Sequence, residues 1–315
     1  MKKVKHSLLY LLAAGAMLLT GCSEDFFGDK TEQHDSNRIR LSGDIDQLAV
    51  TRVNDNGFCN GDVMGVYIVD YEGNNPGTLK VSGNRGDNVR HTFDEPNYKW
   101  SSAYDLYWKD KHTHIDVYGY YPFANPESIE DYQFEVQKDQ STTTAEGEMG
   151  GYEASDFLWG KVPDVAPTET AVKIDAKHMM SQMVVSLKPG NGFTEESLGK
   201  AKISVKINRL KTQATANLVT GKLTAKGNDA DLTPLKEEGY NYKALIIPQA
   251  VGEGKLITVN VDGRDYQLKK AANFTAFEAG KKHKFTVTLS KTSNGVNVNI
   301  TKWEDDGIDY GGTAE

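Results

Sequence analysis

One cysteine near the N-terminus has the sequence context of an acylation site. Cys22 follows three lysines among the first five residues and an apolar run over residues 8–19, and the tetrapeptide Leu19-Thr20-Gly21-Cys22 closes that run. This order is typical of a bacterial lipoprotein signal peptide, which is cleaved before its cysteine. The apolar run is shorter than the ~20 residues that a membrane-spanning helix needs. We therefore expect removal of residues 1–21 and acylation of the Cys22 thiol; the alternative is a secretory signal with a chance cysteine.

The remaining residues that could do chemistry do not combine into a catalytic or metal site. His112 and His114 have strand spacing on one face, as two metal ligands would, but no third ligand is evident, so solvated histidines are the better interpretation. The acidic residues in 303–309 lack the ordered spacing of a calcium loop. Cys59 lies in a polar, turn-like segment without an evident base, and we expect a half-buried small side chain there. For His178 we expect a packed or capping role. The sequence thus predicts no enzyme, no cofactor and no metal.

Aromatic residues concentrate between positions 100 and 123 and could form a sugar-stacking surface. Strand alternation should bury about half of them, which favours a core role for Tyr118 and Tyr120 or their neighbours. The formal net charge of the full chain is −8, and loss of three lysines with residues 1–21 makes the mature chain more acidic still. This balance, without a basic stripe, argues against nucleic acid as a partner.

The elements that must position these residues are short strands. β-branched and aromatic runs separated by Gly, Asn, Asp and Pro indicate β-sandwiches. The predicted strands cover residues 63–69, 114–121, 183–187, 203–207, 244–247, 256–261, 285–289 and 296–300. Asp262-Gly263 predicts a tight hairpin, and residues 194–201 allow a turn or two of helix. Each half of the chain contains a strand that ends at a Pro and, further on, a strand that begins with Tyr-Gln. This faint repeat would fit two sandwiches of related plan, and the alternative is chance similarity.

The two ends of the chain read as peripheral segments. The acidic, aperiodic residues that follow Cys22 suggest a tether that ends at residue 37. In residues 296–303 apolar and polar side chains alternate, and an acidic, aperiodic tail follows. This C-terminal strand could complete its own sandwich, which is the blander interpretation, or it could leave and fill a groove in a neighbouring molecule.

Segments spread over nearly the whole mature chain resemble, in their order, the fimbrillin family of type V pilins and their minor subunits. They are the aromatic–Gly-Asp–Gly segment 58–67, the aromatic positions Trp100, Tyr107, Trp108 and 118–123, and the segments 156–160, 178–187, 247–249, 277–281 and 300–303. The resemblance implies an all-β fold of two transthyretin-like β-sandwich domains in tandem. The implied boundaries are a signal peptide over 1–21, a lipidated tether over 22–37, and sandwiches over 38–177 and 178–315.

The resemblance also implies a function: a structural or adhesive fimbrial subunit, anchored in the outer membrane through Cys22 and surface-exposed. Its partners would be other fimbrial subunits, bound by donor-strand exchange after an Arg-specific surface protease removes an N-terminal strand, and a host or bacterial surface ligand. Arg52 precedes the polar loop 54–57 and is the predicted cleavage site, with Arg38 and Arg40 as weaker candidates. The alternative is a cell-surface glycan-binding lipoprotein that never polymerises.

Overall fold

A computed structural model describes residues 37–45, 57–97, 99–145, 148–291, 300–302 and 312–314. The regular secondary structure of this part of the chain is almost entirely β-strand, as the sequence predicts, with one short α-helix and one turn of 3₁₀-helix at Glu153–Ser155. In these residues, no helix has both the length and the apolar character to cross a membrane.

The first half of the described chain contains eight strands. They are β1 (Leu41–Ile45), β2 (Val63–Asp70), β3 (Gly86–Asp94), β4 (Lys99–Ser102), β5 (Ile115–Tyr121), β6 (Tyr132–Glu135), β7 (Leu158–Val165) and β8 (Val172–His178). Seven of them form one sheet in the order β1-β8-β7-β5-β2-β3-β4. β1 and β4 are therefore its two edges.

The second half continues with α1 and twelve further strands. They are β9 (Ser181–Pro189), α1 (Glu195–Lys200), β10 (Ile203–Ala216), β11 (Leu223–Leu232), β12 (Leu235–Lys236), β13 (Asn241–Ile246), β14 (Gln249–Ala250), β15 (Lys255–Val261), β16 (Arg264–Lys269), β17 (Ala276–Phe277), β18 (Lys282–Leu289), β19 (Ile300–Lys302) and β20 (Gly312–Ala314). One sheet has the order β11-β10-β15-β16 and a second has β12-β13-β9-β18-β19. β14 and β17 form a separate two-stranded ladder.

Local sequence explains several of these elements. β15 and β16 pair antiparallel with Val261 opposite Arg264, so Asp262-Gly263 is a two-residue turn, and both residues have positive φ (51° and 89°). Such a turn favours glycine and aspartate, which confirms the predicted hairpin. The predicted helical turns are α1, whose N-cap Thr194 accepts a hydrogen bond from the Ser197 backbone N–H.

The first sheet is buried on both faces at its centre. Along β2, Val66 and Ile68 join one cluster of buried side chains, whereas Tyr67 and Val69 join another. Strand alternation sends these pairs to opposite faces of the sheet. The smaller cluster lies on one face of the first sheet, and the larger cluster continues into the two sheets of the second half.

Between β8 and β9 the chain leaves the first sheet and enters a sheet of the second half, close to the predicted domain boundary at residue 178. One strand crosses this division, because β6 pairs antiparallel with β10 of the second half, with Phe134 opposite Ala214. The larger buried cluster also contains residues from both halves, such as Tyr120 and Val185. The tandem division into two transthyretin-like sandwiches therefore stays a prediction.

Candidate functional site

The N-terminal strand β1 is held along the edge of the first sheet by two successive partners. Residues 37–39 lie beside residues 106–108, where the Ile39 N–H donates to the Leu106 carbonyl at 2.7 Å. The chain then pairs in parallel with β8, with Leu41 opposite Val172 and Ala176 opposite Ile45. β1 is thus an edge strand whose backbone pairs in one parallel ladder, preceded by a short antiparallel contact.

One face of this segment covers the smaller core cluster. Ile39 is buried, Leu41 packs partly against the same cluster, and Gly43 is buried between them and the rest of the core. Beside β1, in the same sheet, β8 adds apolar side chains to this cluster, among them Ile174, which is fully buried. β1 therefore acts as a cover over apolar side chains that belong to the body of the sheet.

Gly43 of β1 contacts Trp100 of the opposite edge strand β4. The Trp100 indole Nε1–H donates to the Gly43 carbonyl at 3.2 Å, and the Trp100 ring meets Phe58 edge-on at 4.7 Å between centroids. A Cβ placed on Gly43 would lie 3.3 Å from both the Ile174 carbonyl oxygen and Trp100 Nε1. Only a residue without a side chain fits here without displacing its neighbours.

Of the predicted cleavage and anchoring residues, the structure describes Arg38 and Arg40 only. Cys22 and Arg52 lie outside the described residues, so both remain predictions. The weaker candidates Arg38 and Arg40 are half-buried: the Arg38 guanidinium pairs with Asp105, and Arg40 Nη1 donates to the Glu169 carbonyl at 2.7 Å. Their side chains are engaged in contacts that fix β1.

A cavity of about 570 Å³ lies between the two edges of the first sheet. Its walls are residues 38–43 of the N-terminal segment, residues 99–102 of β4, and His91, Ala171 and Lys173. We call it the seam cavity. Sequence reasoning missed it, because it exists only where two segments some sixty positions apart in the chain meet.

The C-terminal segments lie along one edge of β18. β19 pairs antiparallel with β18, with Phe285 opposite Ile300, and β20 pairs in parallel with it, with Leu289 opposite Ala314. On its other side β18 pairs in parallel with β9. Ile300 thus belongs to a strand of its own sheet, whereas residues 296–299 and 303–311 lie outside the described residues.

The other sequence candidates have structural partners. His114 Nδ1 lies 2.7 Å from Asp164 Oδ1, and His178 Nδ1 lies 2.9 Å from Asp156 Oδ2. His112 is exposed. Within the described ranges, no group of three or more His, Cys, Asp or Glu side chains is arranged to hold a metal ion.

Cys59 has the environment of an unreactive thiol. Burial raises the pKa of the Cys59 thiol, and the nearby carboxylates of Asp62, Glu95 and Glu153 raise this pKa further. Nucleophilic cysteines need the opposite shift, since the thiolate is the reactive form. The half-buried Cys59 agrees with the packed role expected from its sequence context.

The aromatic residues of the 100–123 segment divide between core and surface. Tyr118 and Tyr120 are buried, as predicted, and Tyr121, Trp100 and Trp108 are buried as well. Tyr104 and Tyr107 remain 53% and 40% exposed on the loop after β4. The exposed rings are those that could meet a ligand.

A buried ion pair stabilises the centre of the first sheet. Asp116 on β5 is fully buried, and its carboxylate lies 2.8 Å from Lys161 Nζ and accepts hydrogen bonds from the Tyr118 hydroxyl and the Asp164 N–H. Burial alone would raise the pKa of Asp116, but these donors outweigh it and hold that pKa below its ordinary value. Lys161 also lies over the Tyr118 ring, so the ion pair and this ring hold neighbouring strands together.

Comparison with known proteins gives a consistent set of similarities. The model of the family described as fimbrillin-like matches residues 51–303. A relative from Bacteroides uniformis, named "Putative fimbrium subunit Fim1C", is 26% identical over 309 residues, which cover 95% of each chain.

Two solved structures share the fold. A crystal structure of a "putative cell adhesion protein" from Bacteroides uniformis matches with a TM-score of 0.61 at 20% identity, covering 89% of this chain and 98% of its own. A second "putative cell adhesion protein", from Bacteroides ovatus, matches with a TM-score of 0.64 at 18% identity, covering 87% and 97%.

Proposed function

Because this chain belongs to the fimbrillin-like family, we propose that it is a structural or adhesive subunit of a bacterial surface fimbria. In this proposal the chain is exported as a lipoprotein anchored through Cys22. An Arg-specific surface protease then removes the N-terminal segment, and subunits assemble by strand exchange. The subunit has no catalytic role.

The observation that carries the proposal is the attachment of β1. This strand forms an edge of its sheet, pairs in parallel with β8, and covers apolar side chains of the body. Cleavage after Arg52 would separate it covalently from β2, so that only non-covalent contacts would retain it. The rest of the sheet keeps its strand order without β1.

Loss of β1 would create an acceptor groove. The backbone groups of residues 172–176 that now bond to β1 would lose their partners, and the apolar cluster would lose the contacts of Ile39 and Leu41. Unpaired edge groups and exposed apolar side chains both favour the addition of a strand from another chain. A donor strand from the next subunit would restore both kinds of contact.

The C-terminal tail, which contains β19 and β20, is one candidate for the donor strand. β19 and β20 each pair with β18 over three residues, so each is a short attachment. Under the donor interpretation residues 296–315 leave β18 and enter the groove of a neighbour. Under the other interpretation this tail completes its own sheet and a different segment serves as donor.

The test couples cleavage to assembly. The folded chain is treated with an Arg-specific protease, the fragments are mapped by mass spectrometry, and polymers are followed on non-boiled gels. We expect the first cut after Arg52 and polymer ladders only after that cut. Arg52→Lys should delay both, whereas the matched control Arg264→Lys, an exposed residue at the start of β16, should leave both unchanged.

Two results would contradict this proposal. One is a first cut within residues 178–291, and the other is a ladder formed by intact chains. A chain that stays uncleaved and lipidated on the cell surface would favour the alternative function, a glycan-binding lipoprotein that does not polymerise.

A further inference from the structure

The seam cavity has the size and walls of a ligand site. Its volume of about 570 Å³ lies within the ~300–1,000 Å³ that small-molecule sites occupy. It is bounded by the free edges of β1 and β4, and Trp100 closes its base by the hydrogen bond to Gly43. The cavity is therefore a built feature of the sheet.

The charge of this cavity is opposite to that of the protein. Arg38, Arg40, Lys99 and Lys173 line it, and no Asp or Glu is among the lining residues that the structure describes, although the chain as a whole carries a net charge of −8. Arg38 pairs with Asp105 and Lys173 with Asp175, both outside the lining. Lys99 is exposed and forms no ion pair with any described residue. These walls favour an anionic ligand.

The polar groups that accompany these cations suit a ligand rich in hydroxyls. Ser42 and Ser101 line the cavity and can both donate and accept hydrogen bonds, whereas Ser102, whose hydroxyl donates to the Tyr104 carbonyl, can accept them. His91 also lines it; its Nδ1 lies 3.0 Å from the Val89 carbonyl, so Nδ1 carries the proton and Nε2 is an acceptor. Burial lowers the pKa of His91, which keeps the ring neutral.

Two exposed aromatic rings adjoin the same walls. Tyr107 forms a β-bridge with the lining residue Arg38, and the carbonyl of Tyr104 accepts a hydrogen bond from the lining residue Ser102 at 2.8 Å. Both tyrosines expose a large part of their surface. An exposed aromatic ring offers an apolar face with a polar tip, which suits the apolar face and hydroxyl edge of a sugar ring.

We propose that the seam cavity binds an acidic saccharide of the uronic-acid type. The sugar carboxylate is held by Lys99, its hydroxyls by the serines and His91 Nε2, and a neighbouring sugar ring packs on Tyr104 or Tyr107. Arg40, which already donates to the Glu169 carbonyl, adds positive charge to the same wall. This ligand site goes beyond the proposed assembly role and does not depend on it.

The site belongs to the uncleaved chain, because the N-terminal segment supplies one of its walls. Loss of β1 would dismantle the site, and a ligand that bridges β1 and β4 would hold β1 in place. Binding is therefore measured on the intact chain, with its mass verified. Assembly plays no part in that measurement, so failure here and failure of the assembly proposal are separate results.

The experiment is calorimetric titration of the intact chain with a hyaluronan tetrasaccharide, which carries glucuronate. The neutral control ligand is chitotetraose, and tetraglutamate is the control for charge alone. Lys99→Gln and Lys99→Glu are the test variants, and both should fold because Lys99 is exposed. Lys138→Glu is the matched control, since Lys138 is equally exposed and outside the cavity. Unchanged thermal unfolding verifies each variant.

We expect saturable binding of the hyaluronan probe and little binding of either control ligand. Lys99→Gln should weaken binding roughly tenfold, as loss of one charge-assisted hydrogen bond does, and Lys99→Glu should abolish it. Lys138→Glu should bind as the wild type does. The proposal is overturned by absence of binding, by equal binding of chitotetraose or tetraglutamate, or by equal losses in the Lys99 and Lys138 variants.

Discussion

Gly43→Val should loosen β1 without unfolding the rest of the protein. The Cβ of the new side chain would begin 3.3 Å from the Ile174 carbonyl oxygen and from Trp100 Nε1, and two methyl groups would extend beyond it. Overpacking of this kind typically costs about 1–3 kcal/mol. Since β1 is a terminal strand, we expect the strain to be relieved by opening of β1.

This cost corresponds to an increase in the open population of roughly 5- to 150-fold, at about tenfold for each 1.4 kcal/mol. The assay is hydrogen exchange of the backbone amides along residues 172–176, together with the rate of cleavage by an Arg-specific protease. Both should accelerate within this range. The matched control is Ser42→Val, which adds a similar side chain to the opposite face of the same strand and should have little effect.

Exchange in residues 172–176 at the wild-type rate would refute the reasoning that Gly43 is a tight contact. Faster exchange spread evenly over both halves of the protein would refute the claim that β1 opens without unfolding of the rest of the protein. In either case β1 would not be the separable cover that the assembly proposal requires.

Three further predictions concern the anchor, the core and the tail. Cys22→Ala should abolish membrane association in detergent phase partition while the body stays folded; equal retention would contradict acylation. Asp116→Asn should lower the free energy of urea unfolding at pH 7 by about 2–3 kcal/mol, because Lys161 loses its charged partner. The loss is smaller than for a fully buried pair, since Lys161 is only partly buried. Because the pKa of Asp116 is lowered in the native state, its ionised form stabilises the fold above pH ~4. This stabilisation is lost as the pH falls through the lowered pKa, so the difference in stability between wild type and Asp116→Asn should shrink at pH 3. Deletion of residues 296–315 should leave a folded monomer that forms no ladders if the tail is the donor, and should lower the melting temperature if it completes its own sheet; a folded variant that still forms ladders would exclude the tail as donor.

The sequence predicted those features that depend on neighbours in the chain. β2, β5, β9, β15 and β18 follow from runs of β-branched and aromatic residues, and the 262–263 hairpin follows from its Asp-Gly pair. Alternation along the strand predicted that Tyr118 and Tyr120 share a buried face, but it did not predict that Tyr121 on the opposite face is buried as well. Each of these depends on a pattern within a few residues.

The remaining structure depends on contacts between distant segments. β3 and β8 carry charged and polar residues at alternate positions, such as Arg90, Lys173 and Asp175, so their strand character is weak without their partners. The pairing of β6 with β10 joins residues about eighty positions apart, and no local signal marks it. The seam cavity was missed for the same reason.

The most direct test of the central claim is the N-terminal residue of the protein in fimbriae extracted from the cell surface. Cleavage after Arg52 predicts Val53 as the first residue of the polymerised subunit, with β1 absent from the mass of the chain. An N-terminus at an acylated Cys22 in polymerised protein would show that assembly leaves β1 in place, and would contradict the account.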